Sequence, residues 1–495
     1  VSAEQYNWNT ANAFVLGFGE EVNTRTFTWQ SQIMKDGYVK YKKVGDVDFK
    51  TVKAETTFLQ HPDCAVSKHS CIIKNLDDGE YIYKVGNEGY WSEEEKFEVK
   101  TYNTANGDEI NILWCSDEQS WIKEEMNAFA NVFDRIINEW EIDESGKPTF
   151  DWILETGDIS QNGRRRPEYT WYFDSLQGMN KRVPIMATMG NNDLLEKKYG
   201  QCFANFFTNE NQWANSVYHF RQGNTEFICL NSNTDYDYVS GYGALGNYQS
   251  TDAFLLDQAK WLDEYLTSLN SGGNKPDFTI VFMHLSPFTC VRTKKVQVFT
   301  PIFEKHKVDL VCCGHNHCYT RSYSLYTGMQ AVTEAGGIQS YNDYYNFTKK
   351  ATTAYVDETQ LPNALTGGTG INHTEDKANG TVYIQCSSSG WKNSGKETTI
   401  TKYPTEAVDG YDFNSNGASN GLAWWCKVAN TVKKPNYCTI KITKDSITVK
   451  SWQITGAKAT KIINGTEYEY SPALGETDVT RELIDEITIN LSDRA

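Results

Sequence analysis

Residues 308–321 of this 495-residue chain are VDLVCCGHNHCYTR. The stretch opens with an apolar run typical of a buried strand and then passes at Gly314 into a loop that carries His315 and His317. Four other segments have the same form, because each places polar side chains just after an apolar run. They are SDEQ at 116–119, GDIS at 157–160, GNND at 190–193, and His284 after residues 280–283. Ligands of open α/β sheets bind at the carboxyl ends of strands, so these five loops are expected to converge.

The five segments together offer a donor set that suits a metal centre. As candidate metal donors they supply two Asp, one Asn and three His, although the whole chain has only eight histidines. A mixture of hard oxygen donors and imidazoles favours Zn²⁺, Mn²⁺ or Fe over Ca²⁺, which takes oxygen ligands alone. The sequence therefore predicts one or more transition-metal ions at this edge of the sheet.

The pattern of strands and helices divides the chain into two domains. Residues 1–104 are predicted to form an all-β sandwich, since short β-branched or aromatic runs at 14–18, 26–29 and 81–85 alternate with turn residues. Residues 103–108 have the composition of a linker.

Residues 108–495 are predicted to form an α/β domain. Strands are expected at 110–114, 150–154, 278–283 and 308–312, and helices at 126–140 and 252–269. Further strands at 381–386, 438–442 and 446–452 are expected to complete the sheets.

Charge and hydropathy exclude several classes of partner. The chain has 64 acidic and 47 basic side chains, for a formal net charge of −17. That field repels nucleic acid and anionic membranes, so neither is an expected partner. The apolar runs fall far short of the roughly 20 residues of a membrane span. Phosphate esters would also be repelled at long range, so a pocket for such a molecule would need metal ions to become locally positive.

Cysteine and sequon usage favours a secreted or lysosome-like location. The chain begins at Val1, which is expected to follow a removed signal peptide or a trimming of the chain. Twelve cysteines are an even number whose pairing stays open, although the spacing of Cys64 and Cys71 suits a local disulfide. Five glycosylation sequons occur, at Asn346, Asn372, Asn379, Asn464 and Asn490.

In order and spacing, the five loop segments resemble the calcineurin-like metallophosphoesterase family, and the purple acid phosphatase branch is most similar. The resemblance covers nearly the whole chain, including LDDGEYIYKVG at 76–86 in the first domain. It implies a fibronectin type III-like sandwich followed by a four-layer α/β/β/α metallophosphoesterase domain. It also implies an acid phosphatase-like activity, in which a metal-bridging hydroxide attacks a phosphoryl group.

Carried over residue by residue, the resemblance implies two adjacent metal ions, of Zn, Mn or Fe. Asp158 would bridge them. The second ion would also be bound by Asn191, His284 and His315. The first would take Asp117 and His317, with Gln119 at a position where other family members have histidine. Because Gln is a weak neutral ligand, the first site is expected either to bind metal loosely or to accept Mn²⁺ or Zn²⁺ in place of Fe³⁺.

Two further positions depart from the family pattern. Gln161 stands where purple acid phosphatases have a tyrosine ligand, so the purple charge-transfer colour is expected to be absent. Asn192 stands where the family's Gly-Asn-His motif places an imidazole beside the scissile phosphate. Asn can donate a hydrogen bond to a phosphoryl oxygen but cannot act as a general acid, a role typically worth 10²–10⁴-fold in rate. His219, in a strand-like run, is a further candidate for a position near the pocket.

The replacements leave a second hypothesis open. The chain could instead be a catalytically impaired glycoprotein that keeps the metallophosphoesterase fold for a binding or structural role. Metal content distinguishes the two, because two ions per chain favour the enzyme and one or none favours the alternative. The substrate and the oligomeric state do not follow from the sequence.

Overall fold

The structure is a computed structural model, and the N-terminal part of the chain folds as a β-sandwich. The described residues are 12–31, 35–60, 65–194, 203, 206–213, 216–233, 251–288, 296–325, 373–376, 380–390, 426–430, 434–455, 459–463, 466–470 and 479–491. The sandwich strands are β1 (Asn12–Phe18), β2 (Arg25–Ser31), β3 (Tyr38–Lys43), β4 (Lys50–Lys53), β5 (Glu55–Gln60), β6 (Ala65–Ile73), β7 (Gly79–Asn87), β8 (Tyr90–Trp91) and β9 (Glu95–Val99).

Two antiparallel sheets make up the sandwich. One has the order β1-β2-β6-β5, and the other has the order β4-β3-β7-β8 with β9 paired to β7. Inward-facing side chains of both sheets form the core, among them Phe27, Trp29, Val39 and Tyr83. Cys71 lies in this core as a buried free thiol, against the predicted Cys64–Cys71 disulfide. Its side chain points inward from β6 and packs as a small apolar group, while Cys64 lies outside the described residues.

The rest of the described chain forms an α/β domain, which is built on two seven-stranded sheets. The strands of the first sheet are, in spatial order, β12 (Ile185–Ala187), β11 (Trp152–Glu155), β10 (Ile110–Cys115), β21 (Asn436–Ile442), β22 (Ser446–Thr455), β25 (Thr480–Asn490) and β18 (His373–Asp376). The strands of the second are β13 (Tyr218–Gln222), β14 (Thr225–Cys229), β15 (Phe278–Phe282), β16 (Leu310–Cys313), β19 (Thr381–Gln385), β17 (Tyr319–Leu325) and β20 (Cys426–Asn430). A separate hairpin joins β23 (Ala459–Ile463) to β24 (Thr466–Tyr470).

Parallel pairing runs through the strands that precede the candidate site. β10, β11 and β12 are parallel to one another, and so are β14, β15, β16 and β19. The α-helices of the described residues are α1 (Lys123–Arg135), α2 (Arg166–Ser175), α3 (Thr251–Ser271) and α4 (Thr300–Lys305). In the described parts of the chain, none of the helices is both long and apolar enough to span a bilayer.

Alternate residues of each strand face opposite layers, which explains the stacking of helices on sheets. On β10, Ile112 and Trp114 face the second sheet, whereas Leu113 packs with the helices. On β15, Phe282 lies between the sheets and Val281 lies with α3. The order helices, sheet, sheet, helices follows, and both sheets are covered on each face as parallel strands require.

Candidate metal centre

The carboxyl ends of β10, β11, β15 and β16 lie at one edge of the two sheets, and each is followed by a loop that carries candidate donors. Asp117 comes two residues after β10, and Asp158 three residues after β11. His284 comes two residues after β15, and His315 two residues after β16. Since these strands run parallel within each sheet, their loops meet at the same edge.

One group of donors contains Asp158, His284 and His315, whose ligand atoms all lie within 4.8 Å of one another. Asn191 joins them from the loop after β12. Its Oδ1 lies 3.0 Å from His284 Nε2 and 2.8 Å from His315 Nδ1. His284 Nε2 also lies 3.2 Å from Asp158 Oδ2. The structure therefore brings together all four residues that the sequence predicted for the second metal.

A second group contains Asp117, Asp158 and His317, also within 4.8 Å. His317 Nε2 lies 3.3 Å from Asp117 Oδ1. Gln119 Nε2 lies 3.3 Å from His317 Nε2 and donates to Asp158 Oδ2 over 3.2 Å. Because both groups include Asp158, this carboxylate lies where a residue shared by two metal ions would lie.

Four of the donor residues have strained backbone conformations. Asp117, Asp158, His315 and His317 have φ values of 55°, 56°, 83° and 52°. This left-handed region costs roughly 1–3 kcal/mol for a non-glycine residue and is concentrated at functional sites. Two glycines allow the close packing that this backbone needs. A Cβ on Gly190 would lie 2.1 Å from Asp158 N, and one on Gly314 would lie 2.5 Å from Asp117 Oδ2.

Neighbouring groups fix the orientation of the donors. His284 Nδ1 donates to the carbonyl oxygen of Thr156 over 2.7 Å, which turns Nε2 toward the other donors. Ser116 Oγ donates to Asp117 Oδ2 over 2.5 Å, and the His315 amide donates to the same oxygen over 2.9 Å.

The sequence analysis did not single out Asp193, although it lies in the quoted GNND segment. Its carboxylate is fully buried and accepts hydrogen bonds from the backbone of Asp158, Gly190 and Ser160 and from the hydroxyls of Ser160 and Tyr169. It thereby ties the loop after β11 to the loop after β12. Burial, together with the nearby Asp158 charge, raises the pKa of Asp193 to about 6.

The serine run 387–389 was missed as well. Ser388 Oγ donates to the carbonyl oxygen of Asp117 over 2.6 Å, and Ser389 Oγ accepts from the Ser116 amide over 3.2 Å. In each contact, the two residues are more than 270 positions apart in the sequence. Three consecutive serines directly after an apolar strand were the available signal.

Electrostatics in the centre are dominated by Asp158 and His284. Burial alone would raise the pKa of Asp158, but the adjacent His284 and His315 hold it well below its usual range. Burial alone would lower the pKa of His284, but Asp158 and Asp117 raise it to about 9. A metal ion would therefore have to compete with a proton for His284 Nε2.

Gln119, Gln161 and Asn192, which the sequence analysis identified as departures from the family pattern, are linked to Asp158 by hydrogen bonds, Gln161 through Asn192. Gln161 Nε2 donates to Asn192 Oδ1 over 3.0 Å, and Asn192 Nδ2 donates to Asp158 Oδ2 over 2.6 Å. The Asn192 amide N–H donates to the other oxygen, Oδ1, over 2.8 Å. Gln119 donates to Oδ2 as well. A connected set of neutral amides therefore contacts the shared carboxylate.

His219 is not brought to the centre. It lies on β13, where its Nδ1 is 3.1 Å from Glu226 Oε1 and 2.8 Å from the Tyr265 hydroxyl. Its ring packs on Tyr265 with a centroid distance of 4.1 Å. Its contacts among the described residues serve the junction of β13 with α3, and none of them is a candidate ligand.

Comparison with known proteins shows which families the two parts of the chain match. The family described as calcineurin-like phosphoesterase matches residues 110–319, and the one described as purple acid phosphatase, N-terminal domain matches residues 12–99. Purple acid phosphatase 23 of Arabidopsis thaliana is 23% identical over 169 residues, which are 32% of this chain and 34% of that protein. The chain thus spans about a third of the length of this curated relative.

Two solved structures share the fold. A purple acid phosphatase from yellow lupin (Lupinus luteus) seeds superposes with a TM-score of 0.59 at 14% identity, over 97% of this chain and 74% of that one. PhoD superposes with a TM-score of 0.52 at 10% identity, over 99% of this chain and 92% of that one. At such identities the likeness is one of fold.

Proposed function

Because the chain is a purple acid phosphatase-like member of the calcineurin-like phosphoesterases, we propose that it is a metal-dependent hydrolase of phosphate esters. The observation that carries the proposal is the pair of donor groups that share Asp158. Buried carboxylates and imidazoles within 4.8 Å of one another are costly unless they are paired or bind a cation. Their donor atoms fit Zn²⁺, Mn²⁺ or Fe.

The proposed ligands divide between two ions. Asn191, His284 and His315 would hold one, Asp117 and His317 would hold the other, and Asp158 would bind both. When bound, such ions supply positive charge for the phosphoryl group and lower the pKa of a coordinated water. The hydrogen bond from His284 Nδ1 to Thr156 keeps the Nε2 lone pair available once the proton has left.

Asn192 is the residue we propose to contact the substrate. Its side chain is half-buried at the centre, and it now donates to Asp158. A phosphoryl oxygen could accept the same N–H, which would orient the ester. Since the amide has no proton to give to a departing alkoxide, esters with poor leaving groups should react slowly.

The location of the chain is part of the proposal. We place it outside the cytosol or in a lysosome-like compartment, because the five sequons favour that environment. The nine cysteines that the structure describes are free and buried, so the predicted disulfides lend this placement no support. Asn490 lies at the end of β25, and the other four sequon asparagines lie outside the described residues. A small phosphorylated molecule is the proposed substrate.

The test is hydrolysis of an activated aryl phosphate between pH 5 and 8, by chelator-treated protein supplied with Zn²⁺, Mn²⁺ or Fe. Asp158→Asn should reduce kcat/KM by more than about 100-fold, since even an outer-shell partner of a metal ligand is typically worth 10–100-fold. The matched control is Asp445→Asn, an exposed carboxylate in a turn, which should leave turnover unchanged.

Metal analysis should accompany the kinetics. Two ions per chain, with turnover that depends on them and on Asp158, would support the proposal. Turnover that is no higher than in Asp158→Asn with every metal would reject it. The result would then favour a binding or structural protein, with Gln119, Gln161 and Asn192 as the physical reason.

A further inference from the structure

Trp121 is an exposed aromatic residue on the loop that follows β10, the same loop that carries Asp117 and Gln119. Residues 116–120 of this loop are fully buried, whereas Trp121 is 48% exposed. Within the described residues, its ring stacks on no other aromatic side chain and lies beside no cation. Because apolar surface in contact with water is unfavourable, the indole offers an area that a bound molecule would cover with a gain in free energy.

Trp121 lies at the rim of the metal centre. Two residues before it, Gln119 contacts Asp158, and two residues of extended chain span at most about 7 Å. The carbonyl oxygen of Trp121 accepts a hydrogen bond from Arg165 Nη1 over 3.0 Å. Arg165 belongs to the loop after β11, and in that loop the Gly163 amide donates to the carbonyl oxygen of Asn192 over 2.8 Å. Trp121 is thus connected to the centre through its own loop and to Asn192 through the next one.

The backbone at Trp121 is held from both sides. Its amide donates to Glu125 Oε2 over 2.6 Å, and Glu125 is only 1% exposed. Arg165, which donates to the Trp121 carbonyl oxygen, also forms an ion pair of 2.8 Å with the fully buried Glu168. A tryptophan has only two side-chain torsions, so a ring on a fixed backbone loses little conformational entropy when a ligand covers it.

The charged neighbours of Trp121 leave its surroundings close to neutral. The Arg165 guanidinium is paired with Glu168. Lys123 and Glu124, in the first turn of α1, carry opposite charges. The rim therefore suits a flat, uncharged group, while the anionic part of the same molecule would lie at the metal centre.

The amide of Asn192 favours the same class of substrate for an independent reason. It has no proton to give to a departing alkoxide, so rapid reaction requires a leaving group that is stable as an anion. A phenol is such a group, because its pKa is about 10. An ester of a phenol therefore suits both the missing general acid and the exposed indole.

We propose that the substrates are phosphate esters of phenols and that Trp121 stacks on the aromatic ring of the leaving group. The inference rests on the proposed function and narrows its substrate class. Trp121 is a specificity-determining residue in this scheme, since it contacts the leaving group and takes no part in proton transfer.

The experiment compares two activated esters in the metal-loaded full chain, phenyl phosphate and 2,2,2-trifluoroethyl phosphate, of which only the first has a ring. Trp121→Ala should lower kcat/KM for phenyl phosphate roughly tenfold, the value of one aromatic stack, mainly through KM. The value for the trifluoroethyl ester should stay within about twofold of the parent. An equal loss for both esters would indicate a structural role for Trp121 and would overturn the inference, as would no loss for either.

Two further variants separate stacking from simple apolar contact. Trp121→Phe keeps an aromatic face and should retain most of the preference for phenyl phosphate, whereas Trp121→Leu should lose it. Phe58→Ala removes a ring that is 44% exposed on the sandwich, and it should change neither ester. Circular dichroism and thermal unfolding would show that each variant is folded.

A calorimetric titration with phenylphosphonate and methylphosphonate, which are not hydrolysed, measures the stack without turnover. The metal-loaded parent should bind phenylphosphonate roughly tenfold more tightly than methylphosphonate, and Trp121→Ala should bind the two about equally. If the parent hydrolyses both esters but Trp121→Ala keeps the preference, the inference about Trp121 fails and the phosphatase function stands. If the metal-loaded parent neither hydrolyses the esters nor binds the phosphonates, both fail together.

Discussion

At the residue scale, Asn192 is the residue that would limit the proposed chemistry of the centre. Its amide bridges Gln161 and Asp158 through hydrogen bonds of 3.0 and 2.6 Å. We expect Asn192→His to raise kcat on alkyl phosphates by roughly 10–100-fold, because an imidazole at this position can protonate the leaving group. The measurement is kcat against pH for aryl and alkyl phosphates in the metal-loaded protein.

Two features of that experiment make it decisive. The increase in kcat of Asn192→His should be large for alkyl esters and small for aryl esters, because aryl leaving groups need little protonation. Asn192→Gln, which keeps an amide and adds no acid, should give no gain. A similar increase for both variants would mean that relief of packing, rather than acid catalysis, had changed the rate.

The donors could be predicted from the sequence because each follows an apolar strand, and the topology of parallel strands then places such loops together. The arrangement of the amides around Asp158 could not be predicted. It depends on the side-chain rotamers of Gln119, Gln161 and Asn192, which are set by hydrogen bonds between three different loops. For His219, the strand could be predicted from the sequence, but the residues of α3 that its imidazole contacts could not.

At the element scale, β6 carries a histidine whose environment makes the sandwich sensitive to acid. His69 lies against Trp29, and its two ring nitrogens lie 2.7 Å from Ser31 Oγ and 2.8 Å from Thr56 Oγ1. Burial lowers the pKa of His69 to about 4. Because the unfolded chain takes up this proton near pH 6.5 and the folded chain only near pH 4, stability should fall as pH drops between those values and then level off.

The expected loss from His69 is roughly 1–3 kcal/mol, and urea unfolding between pH 7 and pH 3.5 measures it. His69→Gln keeps hydrogen-bonding capacity without a titrating group. The variant should therefore lose less free energy of unfolding than the parent between pH 6.5 and pH 4. Parallel pH profiles for the two proteins would show that His69 is not the group responsible.

The positions of helices and strands could be predicted from local sequence patterns, but the order of the strands within the sheets could not. The helix predicted over 252–269 is observed as α3 (Thr251–Ser271), and the strand predicted over 81–85 lies within β7 (Gly79–Asn87). The helix predicted over 126–140 is observed as α1 (Lys123–Arg135), which continues as a π-helical turn at Ile136–Trp140. By contrast, β21 pairs with β10 from more than 300 residues away, and no local pattern encodes such a partner.

At the scale of the whole molecule, the sandwich and the metallophosphoesterase domain share a core. Phe18, at the end of β1, stacks on Phe220 at a centroid distance of 5.5 Å and meets Trp152 edge-on at 5.8 Å. Its amide donates to the sulfur of Met186 over 3.3 Å. Polar contacts support the junction, among them the 2.8 Å bond from Asn180 Nδ2 to the carbonyl oxygen of Phe14. We infer that neither part reaches its full stability without the other.

Phe18→Ala tests this coupling. Phe18 is 2% exposed, so its loss should cost about 3–5 kcal/mol, and it should lower the unfolding temperature of both domains because the cavity opens in their common core. Phe58→Ala is the matched control, since that ring is 44% exposed on the sandwich and its removal should change stability by about 0.5 kcal/mol or less. Differential scanning calorimetry of the full chain measures both. If Phe18→Ala lowered one transition and left a second at the parent temperature, the domains would be energetically independent despite their shared core.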